Sequence, residues 1–314
     1  MDKSREQWLK DRTTGIGGSD ASVILGTNPW KSRIELWTEK TTGIVKEDDN
    51  NPNFLWGKLL EPVIANQYQE ETGRVVIPYT KQIKSKEYPF MNANVDRFLH
   101  DYEDVSKNGL GVLEIKTKGA FINWEDNEIP IYYYAQIQHY LSVTERKWAS
   151  FCAFDLGRKN LIIKDVERDD KFIENLIEEE KKFWNLVVNK VPPEIEKTVA
   201  CEAFLKETYK KSEPVIIDIS SNQVASAYAE QLHNMNIEKK NLKEIELECK
   251  TFFMNLMKNV KKVIGINYSI TWKNDKDSVE FDKEKFKNDN PSLYEKYTIP
   301  KKGSKRFTFK YHGE

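Results

Sequence analysis

Only three cysteines, Cys152, Cys201 and Cys249, occur among the 314 residues. They are far apart, odd in number and form no Cys-x-x-Cys pair. This argues against a disulfide framework or a zinc cluster and fits a reducing cytosol. The four histidines, His100, His139, His233 and His312, are too scattered for a histidine–metal cluster, and His139 is expected to be structural. No apolar run approaches the length of a membrane span, and the opening residues are charged. Neither a membrane segment nor a signal peptide is expected, and the cytoplasm is the expected location. No Gly-x-x-x-x-Gly-Lys-Ser/Thr stretch is present, so nothing supports ATP-driven unwinding. A surplus of one charge is also missing: 49 Lys and Arg face 50 Asp and Glu, a net charge of −1. The balance is uneven, however. Residues 254–314 hold 14 basic and 8 acidic side chains (14 − 8 = +6), leaving 35 and 42 (35 − 42 = −7) for the rest. A basic tail could track phosphates or be a solvated lysine-rich surface, and an acidic metal site would help to make the first part negative.

What is present is an ordinary charge-rich globular composition with many large aromatics, and neither repeats nor low-complexity segments. Turn residues and an apolar stretch after residue 15 predict a loop leading into a helix. Helices are predicted over 4–11, 34–42, 54–71, 131–143 and 169–189. Pro62 should kink the third or mark a new start within it. Strands are predicted over 75–79, 96–99, 111–118, 148–155 and 161–166. Val191-Pro192-Pro193 suggests a boundary, giving domains 1–195 and 196–314. Beyond it, steps of three and four between apolar residues over 221–262 predict a long helix, or a helical hairpin bent near 234–236. Short strands are expected over 215–219, 266–272 and 306–311.

The strongest chemical signal is Asp96 followed by Glu114-Ile115-Lys116. Alternate strand residues share a face, so Glu114 and Lys116 project together. If Asp96 ends the neighbouring strand, two carboxylates and an ammonium converge. Carboxylates suit a hard divalent cation, which polarises a phosphate and acidifies a bound water. The lysine can orient that water, and the Ile115 carbonyl could be a further ligand. Taken alone, Glu-x-Lys is a weak signal that reads more readily as a surface salt bridge.

Three further blocks flank this one. Arg12-Thr13-Thr14-Gly15-Ile16-Gly17-Gly18-Ser19-Asp20 holds a forked cation and a Gly/Ser turn that could take an anion or simply cap a helix. Trp56-Gly57-Lys58-Leu59-Leu60-Glu61-Pro62 places Glu61 on a helix, as an acidic ligand or a solvated glutamate. Tyr133-Tyr134-Ala135-Gln136-Ile137-Gln138-His139-Tyr140 puts Tyr133 and Gln136 on one helix face. Those aromatics can also be core, since Tyr132, Tyr133, Tyr134 and Tyr140 cannot all line a site.

In this order the four blocks resemble the YqaJ viral recombinase, or phage lambda-exonuclease, family of the PD-(D/E)xK nuclease superfamily, over roughly residues 5–190. The resemblance implies an α/β, restriction-endonuclease-like core with a central mixed sheet flanked by helices, followed here by a mainly helical C-terminal extension. It implies Asp96 and Glu114 as metal ligands, Lys116 as the catalytic lysine, and Glu61 as an additional ligand to metal or metal-bound water. Arg12 and Ser19 would then hold the 5′-phosphate of a DNA end. Gln136 would lie near that phosphate and Tyr133 near the active site. The implied activity is 5′-to-3′ degradation of one strand of linear duplex DNA with one or two Mg2+ ions, Mn2+ substituting. The implied partners are double-stranded DNA ends, a single-strand annealing recombinase and further copies of the chain in a trimeric ring. Two rival readings stay open: a structure-specific endonuclease on the same fold, and a non-catalytic DNA-end-binding protein. The basic, aromatic C-terminal segment fits either stacking on nucleic acid or a small hairpin core with snorkelling lysines.

Overall fold

A computed structural model describes residues 12–45, 52–102, 109–122, 124, 128–301, 303 and 305–311. The predicted helix over 4–11 lies outside the described residues.

Two compact units are present, Met1–Thr208 and Tyr209–Glu314. The first is built on a five-stranded sheet of order β1-β4-β5-β6-β7: Val75–Pro78, Arg97–His100, Gly111–Lys118, Trp148–Asp155 and Asn160–Glu167. A two-residue ladder, β2 (Ile83–Lys84) with β3 (Asn92–Ala93), stands beside it. Neighbouring strands run antiparallel except β5 and β6, which pair in parallel, so the sheet is mixed.

Alternation along β5 sorts its side chains. Val112 faces a core formed with Ile137, Leu141 and Phe151. Leu113 and Ile115 face the opposite one, with Ile64, Ala65, Tyr68 and Cys152. The α/β class, with helices on both faces of a central mixed sheet, is thus the architecture expected from the sequence.

Local chemistry sets the helices that matter for the site. α1 (Gly18–Ile24) starts where the Asp20 carboxylate accepts from Gly17 N at 3.0 Å. α2 (Arg33–Thr42) is capped by Ser32 and closed by Gly43 at φ 71°. α3 (Pro52–Thr72) runs uninterrupted through Pro62, so the proline marks no new start. The fully buried residues of α3, Ile64, Ala65 and Tyr68, all lie in its second half. α4 (Ile131–Thr144) is the central helix, buried on all sides from Ala135 to Leu141. Its polar residues must therefore find partners inside the protein. Gln138 does so by donating to Glu167 O at 2.8 Å and accepting from Asp169 N at 3.0 Å. α5 (Asp170–Val188) is capped by Asp169, and Ile173, Leu176, Glu180, Phe183 and Val187 form its buried stripe.

The first unit extends past the expected boundary at 195. α6 (Val199–Thr208) belongs to it through the buried Cys201, and Glu196 accepts from Arg33 N at 2.6 Å.

In the second unit, α7 (Gln223–Met257) is one continuous 35-residue helix, not a hairpin. Its Asn222 cap accepts from Ala225 N at 3.0 Å. β8 (Lys262–Ile264) and β9 (Ser269–Thr271) form a short hairpin, and α8 (Lys283–Asp289) and α9 (Pro291–Tyr297) follow. The strands expected over 215–219 and 306–311 are not formed: neither segment has a partner strand among the described residues, and isolated β-propensity cannot hold an extended chain without one. Among the described residues no helix is long and apolar enough to cross a membrane.

Candidate active site

Asp96 immediately precedes β4, one step beyond the Arg97↔Leu113 register pair. Its Oδ2 accepts from Ile115 N at 2.9 Å, which fastens the carboxylate to β5 at the level of Glu114. Glu114 and Lys116 leave β5 on the α4 side, as strand alternation predicts. Glu114 is 1% exposed. Its Oε1 meets the Lys116 ammonium, while Oε2 is buried with no hydrogen-bond partner among the described residues. Lys116 Nζ also lies over the Tyr133 ring, 5.3 Å from its centroid. Glu61 reaches the site from α3 and pairs with Arg97 Nη1 at 2.7 Å.

These groups perturb one another. Burial pushes the Glu114 carboxyl up to about 7; Lys116 pulls against this, and Asp96 and Glu61 add to it. Burial alone would lower Lys116, but the adjoining Glu114 and Asp96 carboxylates outweigh it and hold the ammonium firmly protonated. Glu61 is raised by its partial burial and by Asp96, against the opposing Arg97. A carboxyl cluster held beside a fixed cation in this way is typical of functional sites.

The Arg12–Ser19 segment adjoins this corner through α4. Arg12 Nη2 stands 3.5 Å from Ser19 Oγ. Gly18 packs flat on Tyr140: a Cβ placed there would lie 2.8 Å from Cζ and 2.9 Å from Cδ1 of the ring. Gln136 Nε2 donates to Tyr140 Oη at 3.0 Å. Tyr140 is raised well above the usual phenol range by burial and by Glu114 and Asp96, and Arg12 opposes the shift, so this side chain senses both halves of the site. The structure therefore gathers Asp96, Glu114, Lys116, Glu61 and Tyr133 in one group and Arg12, Ser19 and Gln136 in an adjoining one. Ile115 lends its amide to the first.

Sequence reasoning passed over three contributors, Arg97, Lys40 and Glu180, and expected His139 to be structural. Arg97, next to Asp96, holds Glu61. Lys40 donates to Arg12 O at 2.6 Å. His139 is tied to Glu180, whose place in the stripe 173-176-180-183-187 was the available signal, a charge where an apolar residue belongs. Among the described residues, no three His, Cys, Asp or Glu side chains form a ready metal cage.

Fold and site together define a mixed-sheet α/β protein with a two-carboxylate and lysine centre on the β4–β5 corner. Residues 7–147 match the YqaJ-like viral recombinase domain. The chain is 32% identical over 301 residues to the uncharacterized protein YqaJ of Bacillus subtilis strain 168, spanning 93% of this chain and 90% of that one. It belongs to the YqaJ-like viral recombinase family. Among solved structures, the alkaline exonuclease LHK-Exo of Laribacter hongkongensis is similar at 20% identity and a TM-score of 0.47, over 65% of this chain and 97% of that one. A phage-related exonuclease of Haemophilus somnus 129PT is similar at 14% identity and a TM-score of 0.41, over 58% and 99%.

Proposed function

We propose that this protein is a metal-dependent deoxyribonuclease with a PD-(D/E)xK centre. It degrades one strand of linear duplex DNA from a 5′-phosphorylated end, 5′ to 3′, and leaves a 3′ single strand for recombination. The carrying observation is the convergence of Asp96, Glu114 and Lys116 on one sheet corner, with a buried Glu114 oxygen that no described residue satisfies.

An orphaned carboxylate oxygen in a buried site calls for a cation or an ordered water. The donors are all oxygen, which suits Mg2+ or Mn2+ better than a softer metal. Asp96, Glu114 and the Ile115 carbonyl would hold the ion. Glu61 could join them by releasing Arg97. Bound there, the ion supplies Lewis-acid activation of the phosphate and acidifies water.

The chain's own groups do the rest. Lys116, kept protonated by its carboxylate neighbours, orients the attacking water and offsets charge developing on the phosphate. Tyr133 confines the ammonium from the α4 side. Arg12 and Ser19 receive the terminal 5′-phosphate, with Gln136 close by, and so set which phosphodiester reaches the carboxylates. The bared strand needs a binder, which makes a single-strand annealing recombinase the natural partner. Processive movement fits a ring of three copies around the duplex, acting in the cytoplasm of the host cell.

The test is digestion of linear duplex DNA in Mg2+, comparing 5′-phosphate with 5′-hydroxyl ends, with closed circular DNA as control. Loss of the phosphorylated strand from its 5′ end, an intact circle and silence in EDTA are expected. A cut circle would instead establish an endonuclease. End binding without cleavage in Mg2+ or Mn2+ would establish a non-catalytic protein.

A further inference from the structure

Among the buried ionisable side chains that play no part in the chemistry above, four lie on the helices around the Arg12–Ser19 segment. They are Asp20, Lys40, His139 and Glu180, one from each of α1, α2, α4 and α5. They form two close pairs. Lys40 Nζ meets Asp20 Oδ2 at 2.6 Å, with side-chain exposures of 4% and 6%. His139 Nδ1 meets Glu180 Oε1 at 2.7 Å, and both side chains are fully buried. The pairs also sense each other, since the Asp20 charge acts on both His139 and Glu180.

Burying such pairs is a poor way to stabilise a core, because desolvation offsets most of the mutual attraction and apolar residues of the same volume do as well or better. Glu180 Oε2 even lacks a hydrogen-bond partner among the described residues. What the pairs hold explains them better. Lys40 and His139 each direct a further hydrogen bond to a backbone carbonyl, one on the segment carrying Arg12 and Ser19 and one on the strand bonded to it. Lys40 Nζ donates to Arg12 O at 2.6 Å. His139 Nε2 lies 2.9 Å from Asn92 O, and because a carbonyl only accepts, this nitrogen carries the proton. Asn92 in turn donates its amide to Ile16 O at 2.8 Å, and Ile16 N donates to Phe90 O at 2.6 Å. Asp20 closes the arrangement by accepting from Gly17 N at 3.0 Å.

We infer that the Lys40–Asp20 and His139–Glu180 pairs are the positioning device of the Arg12–Ser19 segment, and so determine how sharply the protein separates a 5′-phosphate end from a 5′-hydroxyl end. This deepens the 5′-phosphate reading and rests on it. Forked recognition of a phosphate is sensitive to displacements of about 1 Å, and a short segment rich in glycine is not stiff by itself. Two donors anchored by acidic side chains of the surrounding helices, Lys40 by Asp20 and His139 by Glu180, supply the stiffness that the segment's own sequence lacks.

The experiment uses the full chain and two double variants, Asp20→Asn with Lys40→Met, and His139→Gln with Glu180→Gln. Each removes one pair without stranding a charge. Binding of blunt duplexes ending in 5′-phosphate or 5′-hydroxyl is measured by fluorescence anisotropy in EDTA, where no cleavage intervenes. The expected result is an about tenfold or greater loss of the phosphate preference in each variant, with hydroxyl-end affinity unchanged and the fold retained by circular dichroism. A folded variant that keeps the wild-type preference overturns the inference. If wild-type protein shows no preference, the 5′-phosphate reading fails by itself. The positioning role is then judged by hydrogen exchange at the Ile16 and Asn92 amides, which should lose protection in the variants. Should neither variant fold, wild-type exchange decides: those amides should open only with the whole unit, and easy local opening overturns the proposal.

Discussion

Replacing Gly18 with alanine sets a methyl group against the face of Tyr140. The added carbon would lie 2.8 Å and 2.9 Å from two ring atoms, and closer still to Cε1. Carbon atoms in a packed interior rest about 3.5–4.0 Å apart, so the ring or the helix must shift by most of an ångström. The ring cannot shift freely. It is 5% exposed, belongs to the core on the α4 face of the sheet, and its hydroxyl is held by Gln136 at 3.0 Å. Overpacking of this kind costs about 1–3 kcal/mol. The comparison is Gly57→Ala in α3, where an added Cβ meets nothing within 4 Å. There alanine relieves the entropic burden of a helical glycine and should stabilise by about 0.5–1 kcal/mol. Denaturant unfolding followed by tryptophan fluorescence should therefore shift the first unit's midpoint in opposite directions for the two variants. A Gly18→Ala protein as stable as wild type would refute the close packing of α1 on α4. Because Tyr140 adjoins both halves of the site, the same variant should also lose nuclease activity.

Other outcomes follow from particular contacts. Glu114→Gln or Lys116→Met should lower Mg2+-dependent cleavage at least about a hundredfold with little change in melting temperature; a variant with near-wild-type turnover would remove these residues from the chemistry. Arg12→Ala should erode the rate advantage of 5′-phosphate over 5′-hydroxyl ends more than it slows hydroxyl ends, as single-turnover rates would show. Arg74 bonds Asp165 through two nitrogens at 2.7 Å each, Asp101 at 2.8 Å and Tyr68 Oη at 2.8 Å, and stacks on Trp148. Arg74→Met should therefore destabilise the first unit by about 3 kcal/mol in chemical denaturation. Burial alone would raise Asp20, but Lys40, Lys31 and Arg12 hold it at about 2, below its ordinary 3.8. The folded carboxyl is thus the stronger acid, so its contribution of about 2 kcal/mol is complete above pH 4 and is lost as pH falls through 2. Asp20→Asn should flatten the acid limb of a stability-versus-pH curve, and a parallel offset at every pH would contradict the pairing.

Much of the first unit could be read from the chain because its periodicities are strong. β5 alternates well enough that the shared face of Glu114 and Lys116 followed from spacing, and the prolines at 192 and 193 marked where α5 had to end. Asp96 lies at the edge of a strand, as reading the residues after it suggested. Other features carry no local signal. The β2–β3 ladder is two residues long, too short to show a period. Residues 215–219 have strong β-propensity but no strand beside them, a long-range condition that propensity does not encode. Pro62 sits in a helix whose first half is largely exposed, and this tertiary setting tolerates what a local rule disfavours. The links from Lys40 to Arg12 and from His139 to Asn92 join residues far apart in the chain through backbone carbonyls, which no side-chain pattern advertises.

The single parallel ladder in the sheet bears on the order in which the molecule is assembled. β6 and β7 are joined by a tight turn and can pair as soon as both are made, with Asp155 bracing the turn through Gly157 N at 2.8 Å and Arg158 N at 3.1 Å. The register that sets Glu114 opposite Phe151 and Lys116 opposite Ala153 instead requires the whole crossover through α4 to close first. Closing that longer loop is the slower event, so in pulse-labelled refolding the β6–β7 amides should be protected before those that join β5 to β6. A nascent chain on the ribosome would then carry its carboxylates and lysine unassembled until β6 has emerged and docked. Its acidic centre would be withheld from nucleic acid nearby until the surrounding fold is in place.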